Sequence, residues 1–394
     1  MANRTLPSAP RATPFALSSL LAASLLLALP PAAHAAGPII ALGTLGGEES
    51  RPLDLNPQGT VVVGYSDTSD GLLRAFRWTA AGGMQDLGTL GGSFSVAAAT
   101  SADGAVVVGE SDTATPGSHA FRWTPATGMV DLGTLGGNFS RSAGVSDDGS
   151  VVVGEAENPP FDTRAFRWTA ATGMVDLGTF GGSRAFAYAV SADGLVATGN
   201  SLTAGDAAVR AFRWTLAGGM VDLGDPPAGH DSPSGQAISG DGSVIVGTMY
   251  TPSPFTTRAF RWTAAEGIQD LGLPQAFATD VSDDGAIITG FYSNTPGQST
   301  PFVWTQAGGA VDLDDYLSAR GVDFTGWTLR EASGLSADGA LIAGWGILNG
   351  QVRAFLADTR PVCGSLDFDG DGDDGTDADV EAFFRVIGGG TCAP

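Results

Sequence analysis

The sequence predicts an all-β chain: a seven-bladed β-propeller of four-stranded blades closed by its N-terminal strand, followed by a small C-terminal calcium-loop and helix module. Three observations carry that prediction. One unit of roughly 45 residues recurs between Ile39 and Thr359. Each copy holds four short β-type runs divided by turn residues. The two ends of the array are complementary fragments of the unit. The boundaries that follow are 1–35, 36–361 and 362–394.

The repeat is defined by three markers. Ala-Phe-Arg-Trp-Thr begins at Ala75, Ala120, Ala165, Ala211 and Ala259, with weaker copies at Pro301 and Ala354. An Asp-Leu-Gly motif or its relic places Leu42, Leu87, Leu132, Leu177, Leu223, Leu271 and Leu313 at steps of 45, 45, 45, 46, 48 and 42 residues. A Ser-x-Asp-Gly turn precedes a β-branched run, with glycines at Gly104, Gly149, Gly194, Gly242, Gly285 and Gly339 and a degenerate copy at Gly59.

One copy illustrates the strands. Ala143 to Ser146 is the first, and Asp148-Gly149 supplies the hairpin turn, which needs positive φ. Val151 to Val153 is apolar on both faces and so internal to a sheet. After a loop expected to span 9 to 11 residues, Ala165 to Thr169 forms the third strand, with Phe166 and Trp168 on one face. A four-residue turn leads to the fourth strand, Met174 to Leu177. On that turn length, Arg77, Arg122, Arg167, Arg213 and Arg261 stand across their hairpins from Asp86, Asp131, Asp176, Asp222 and Asp270. These charges therefore read as structural cross-strand pairs.

The array starts with a fourth-strand relic, Ile39 to Leu45, and ends with three strands, Gly334 to Asp358, that lack a fourth. The first can complete the last and leave no open sheet edge. An open solenoid would not explain that complementarity.

The stretch Gly117 to Trp123, Gly-Ser-His-Ala-Phe-Arg-Trp, together with Asp131 to Gly137, Asp-Leu-Gly-Thr-Leu-Gly-Gly, resembles the HAF family of extracellular repeats. The resemblance implies an exported bacterial protein, secreted or at the cell surface. It supplies no catalytic residues. The histidine of the motif survives only as His119.

The N-terminus agrees with export. Arg4 and Arg11 precede an apolar run from Phe15 to Leu29, and Ala33-His34-Ala35 fits a small-x-small cleavage site. The run is shorter than the roughly 20 residues that span a bilayer. The chain has 42 acidic residues against 19 basic ones, all arginine, for a net charge of −23. Such a surface does not neutralise a phosphate backbone, which excludes a nucleic-acid partner. A monomer without a transmembrane segment in the mature chain is expected.

Variable second-to-third loops on one face of a rigid ring are a usual place for recognition. The longer connection from Asp314 to Ser333 carries Tyr316, Trp327 and Arg330 as candidate ligand contacts, with a packed closure element as the other reading. Enzyme signals are thin. Of three histidines, His34 leaves with the signal, and His119 and His230 lie in different copies. Nucleophile-elbow, zinc-protease and phosphate-loop motifs do not occur.

After Pro361 the composition changes. Cys363 and Cys392, the only cysteines, bracket 28 residues and read as a disulfide in an exported chain. Asp367, Asp369 and Asp371 with Gly372 reproduce the first half of an EF-hand calcium loop, and Asp373 takes the seventh position. The twelfth position is Ala378, so Asp379 closes a loop one residue longer, with Asp377 as the alternative. The segment looks like half of a dockerin repeat and also like thrombospondin type 3 loops. Calcium is the expected cofactor. The functional expectation is non-catalytic recognition of an extracellular glycan or surface protein. The alternatives are a carbohydrate-active enzyme with carboxylates at the propeller mouth, and a structural surface-layer component.

Overall fold

The computed structural model describes residues 39–360, apart from 161, 253–254 and 296–297. The expected signal peptide and the whole of 362–394, with Cys363, Cys392 and the aspartates from Asp367 to Asp379, lie outside the described residues.

Among the described residues, strands and their connections account for everything except two short helical turns, Ala204–Asp206 and Leu313–Ser318. The strands form five four-stranded antiparallel sheets and one of eight. The larger sheet is two four-stranded units joined by a single parallel pairing of Thr163 with Arg184. The all-β, propeller-like architecture is the expected one.

Strand limits differ from the sequence reading in an instructive way. In the third unit the strands are Ser140–Val145, Val151–Asn158, Asp162–Thr169 and Gly173–Asp176. The expected loop of 9 to 11 residues is largely strand, because pairing continues from Val151↔Thr169 out to Asn158↔Asp162. The extension is an antiparallel ladder that buries Glu155 and Ala156 and leaves only its outer end, at Glu157, exposed.

The hairpin register also differs. Thr79 pairs with Gly83, so the turn holds three residues rather than four. Phe76 therefore faces Asp86, and Arg77 faces Gln85. The expected Arg77–Asp86 pairs and their counterparts do not form. Four of the five arginines instead reach the next unit: Arg77 Nε donates to the Gly104 carbonyl at 2.8 Å, Arg122 Nε to Gly149 at 3.2 Å, Arg213 Nε to Gly242 at 3.3 Å and Arg167 Nη2 to Gly194 at 3.5 Å, while Arg261 pairs with Glu266 in its own hairpin at 3.0 Å. Each aspartate caps its own turn, as when Asp86 accepts from the Gly88 N–H at 2.8 Å. Where a side chain does meet the aspartate, it stands twelve residues before it, diagonal on the same face: His119 with Asp131 at 2.8 Å, Arg164 with Asp176 at 3.5 Å and Arg258 with Asp270 at 2.7 Å. The solitary histidine of the motif thus occupies a position whose role arginine fills in other copies.

Units are joined by two further recurrent devices. A buried serine on a first strand ties back to the preceding third strand: Ser95 Oγ accepts from the Ala75 N–H at 2.9 Å and donates to the Gly88 carbonyl at 2.7 Å. Ser140 repeats this with Ala120, and Ser50 repeats it with Ala354, 304 residues away. The Ser-x-Asp-Gly turn is held by its own serine, as Ser101 Oγ accepts from the Val106 N–H at 2.9 Å. Its glycine is left-handed, φ +66° at Gly104, and lies against Val61 of the preceding unit, where a Cβ would come within 2.3 Å of that side chain. Gly59 stands in the same relation to Leu341 of the last unit.

Beside these turns, backbone bonds run from unit to unit. The Ala102 N–H donates to Asp147, Asp147 to Ala192, Ala192 to Gly240, Asp283 to Ala337 and Ala337 to Pro57. Pro57 has no N–H to pass on. Here the Asn56 side chain substitutes: its Nδ2 donates to the Ala102 carbonyl at 2.9 Å, while its Oδ1 accepts from the Val61 N–H at 2.7 Å. Strand Ile40–Ala41 pairs with Gln351–Asp358 at Ile40↔Leu356 and Ala41↔Phe355. The Leu42 N–H donates to Ala354 as Leu87 does to Ala75.

The core lies between sheets. Phe76, Phe121, Phe166, Phe212, Phe260, Phe302 and Phe355, one per copy of the marker, are fully buried. Each sits opposite a second-strand glycine. A Cβ on Gly109 would lie 2.0 Å from the Val96 carbonyl and 3.0 Å from the Phe121 ring, so the bulged first strand and the phenylalanine together require glycine.

Candidate functional site at the mouth of the central space

The first strands surround a narrow space. A cavity of about 250 Å³ is lined by residues of every unit's first strand, among them Leu55, Ala99, Val145, Ala189, Ala237, Val281 and Leu335. Two of the positions at the strand bulges carry carboxylates. Asp54 accepts from the Leu55 and Thr100 N–H groups, both at 2.8 Å, and Asp280 from Val281 and Leu335, at 2.8 and 2.7 Å. Desolvation pushes Asp54 up to about 8, aided by the charge of Asp280, and pushes Asp280 up to about 7. Both bridge to the next unit's first strand, and a protonated acid suits that enclosed position.

On the face carrying the second-to-third connections the space opens into a cavity of about 660 Å³. Its walls follow from the strand period of two. Phe186 and Tyr188 project from strand Gly181–Val190 with their rings parallel, 6.2 Å apart. Phe277 and Phe291 pair across their hairpin, stacked at 5.0 Å. Between these aromatic walls lies the unit whose strands Asp231–Ile238 and Val244–Pro252 contribute Ser232, Ser234, Gln236 and Thr248. Asn200 Nδ2 and Gln236 Nε2 both donate to Ser234 Oγ, at 2.8 and 2.9 Å. The result is a slot with a stacked aromatic pair on each of two sides and hydroxyl and amide groups between them.

A second lobe of about 370 Å³ shares Leu53, Tyr188 and Gln236 with the first. It is lined by Phe94 and Val96 and by the charged residues Glu110 and Arg141. Arg141 Nη2 pairs with Glu155 at 2.8 Å, and its Nε is buried with no hydrogen-bond partner. Burial raises the Glu155 carboxyl, and Arg141 opposes the shift.

Neither cavity includes Tyr316, Trp327 or Arg330. Helix Leu313–Ser318 anchors the long connection by burying Leu313 and Leu317, and Tyr316, Phe324 and Trp327 pack against the same cluster. Trp327 meets Phe355 edge-on at 5.7 Å, and Arg320 lies over the Tyr316 ring. The aromatic slot was not recognised in the sequence. Its only signal there is the alternate placement of Phe186 and Tyr188 on one first strand; Phe277 and Phe291 lie on different strands and meet only through pairing. Among the described residues no group of three or more His, Cys, Asp or Glu side chains is arranged to hold a metal ion. No helix among them is long and apolar enough to cross a membrane.

No family model matches the chain, and no curated protein matches it in sequence. Solved structures do resemble it. The β-propeller domain of the Trilobed protease from Pyrococcus furiosus, described as having an open velcro topology, aligns with a TM-score of 0.52 at 10% identity, over 78% of this chain and 94% of that one. An oligogalacturonate lyase in complex with manganese gives 0.50 at 12% identity, over 79% and 89%. TolB from Acinetobacter baumannii gives 0.46 at 12%, over 65% and 63%. At these identities the likeness is one of fold: the chain has the all-β propeller fold.

Proposed function

We propose that the chain is an exported, non-catalytic binding protein of the HAF-repeat type. In this reading its seven-bladed propeller takes an extracellular glycan in the slot between Phe186–Tyr188 and Phe277–Phe291. The slot is the observation that carries the reading. Pyranose rings present apolar C–H faces to aromatic rings and hydroxyls to their edges, and this site offers a stacked aromatic pair on each of two sides with Ser232, Ser234, Gln236 and Asn200 between them. Its volume of about 660 Å³ falls in the range of small-ligand sites. A closed ring of seven blades is supported by the pairing of Ile40–Ala41 with Gln351–Asp358, by the Ser50–Ala354 bond and by the contact of Gly59 with Leu341. The segment 362–394 is proposed as a disulfide-closed module that binds calcium through Asp367, Asp369, Asp371, Asp373 and Asp379 and serves attachment or stability.

Titration calorimetry of the mature chain against a panel of neutral oligosaccharides tests the reading. Binding that Tyr188→Ala weakens at least tenfold, without a change in unfolding temperature, supports it. Retention of full affinity in Tyr188→Ala removes the slot from the function. Catalytic release of reducing ends from any of these oligosaccharides favours the enzymatic alternative.

A further inference from the structure

We propose that the second lobe, at Glu110 beside Arg141, is a subsite for a protonated amino group, so that the glycan taken at the mouth carries an unacetylated amino sugar. The inference rests on the glycan reading of the neighbouring slot and deepens it.

Charge count and geometry lead to this. The two lobes share Tyr188, Gln236 and Leu53, so a ligand stacked on Tyr188 extends into the second lobe without leaving the protein. Two carboxylates flank one guanidinium there. Arg141 is committed to Glu155 at 2.8 Å, and Glu155 is itself almost fully enclosed. Glu110 stands at the corresponding position of the preceding unit's second strand, opposite Val96 as Glu155 is opposite Arg141. The arginine that would neutralise Glu110 in its own unit is replaced by valine. Burial raises the Glu110 carboxyl; Arg141 and a hydrogen bond from Ser118 pull it back, and Glu155 and Asp112 push it up again. The remaining lining, Phe94, Val96, Ala98, Ser142 and Ala143, offers no charge. A desolvated carboxylate without a cation of its own is costly, and an ammonium brought by a ligand supplies the missing charge and a donor. An anionic sugar would instead bring its charge beside Glu110, where the one cation of the lobe, Arg141, already pairs with Glu155.

The experiment is calorimetry of the mature chain at pH 7.5 and physiological salt with a glucosamine tetramer and with its fully N-acetylated counterpart. The glucosamine tetramer is expected to bind at least tenfold more tightly, and Glu110→Gln to erase the difference between the two. Asp225→Asn, an exposed carboxylate elsewhere, controls for general attraction to an acidic protein. Equal affinity for the two tetramers, or a preference that Glu110→Gln leaves intact, overturns the inference while the glycan reading stands. Binding of neither tetramer overturns it as well, and the neutral panel then judges the glycan reading alone. Capture of an oligolysine peptide with rejection of the glucosamine tetramer overturns it in favour of a protein ligand.

Discussion

Asn56 and Pro57 offer a sharp test of how the units are joined. At five other turns a backbone N–H reaches the next unit's carbonyl, as Ala102 does to Asp147. At Pro57 the link to Ala102 is made by Asn56 Nδ2, which also donates to Gln58 and Thr60 at 3.0 and 3.1 Å. Asn56→Ser restores the local turn chemistry of the other copies, where a serine Oγ accepts from the N–H five residues on, as Ser101 does from Val106. The inter-unit bond to Ala102 is lost. One hydrogen bond is worth roughly 0.5–1.5 kcal/mol, and a carbonyl left without its donor adds to the cost, so about 1–2 kcal/mol of stability should go. Pro57→Ala alone should cost about 0.4–1 kcal/mol through unfolded-state entropy. In the double variant the backbone at position 57 regains an N–H aimed at Ala102, and the Asn56→Ser penalty should shrink by about 1 kcal/mol. Reversible denaturant unfolding of the four proteins measures the coupling. Additivity within roughly 0.3–0.5 kcal/mol would mean that the two residues do not share this bond.

Other outcomes follow from the same structure. Phe121→Ala, at a fully buried site against Gly109, should cost about 3–5 kcal/mol in the same unfolding assay. Asp54 and Asp280 are raised in the folded protein from 3.8 to about 8 and about 7, so the stability their protonated forms contribute is full only below about pH 4 and is lost progressively as pH climbs to about 8. Unfolding temperature should therefore carry a downward contribution between about pH 5 and about pH 8, and Asp54→Asn should flatten that fall. A stability that rises over this interval would contradict the enclosed, protonated carboxyls. Calcium should bind the mature chain at one site, and the pair Asp369→Asn and Asp371→Asn should abolish the calorimetric signal while leaving propeller unfolding unchanged.

Much of the fold was legible because each copy repeats it. The Ser-x-Asp-Gly turn carries its own hydrogen-bonding logic, and the phenylalanine of each copy, buried in every unit, gives away the core face. The register of the third hairpin was not legible. A turn of three rather than four residues moves every partner by one, so Arg77 faces Gln85 and is free to reach the next unit's Gly104. The role of His119 was hidden for the same reason, since its diagonal contact with Asp131 exists only in the observed register. The long connection looked like a contact surface because aromatic residues read alike whether they point out or in. Helix Leu313–Ser318 turns Tyr316 toward the core, and Trp327 packs into the same cluster.

By itself, then, the sequence determined the unit, its period and the complementary ends, because these are local patterns or sums over the chain. Only the tertiary structure decided where a ligand fits. The slot joins Phe186 and Tyr188 of one unit to Phe277 and Phe291 of another, with Ser234 and Gln236 between them. Those residues are separated by tens of positions and share no motif. They meet because successive first strands are held side by side around one space, and that placement is set by packing between sheets, which no single copy of the repeat encodes.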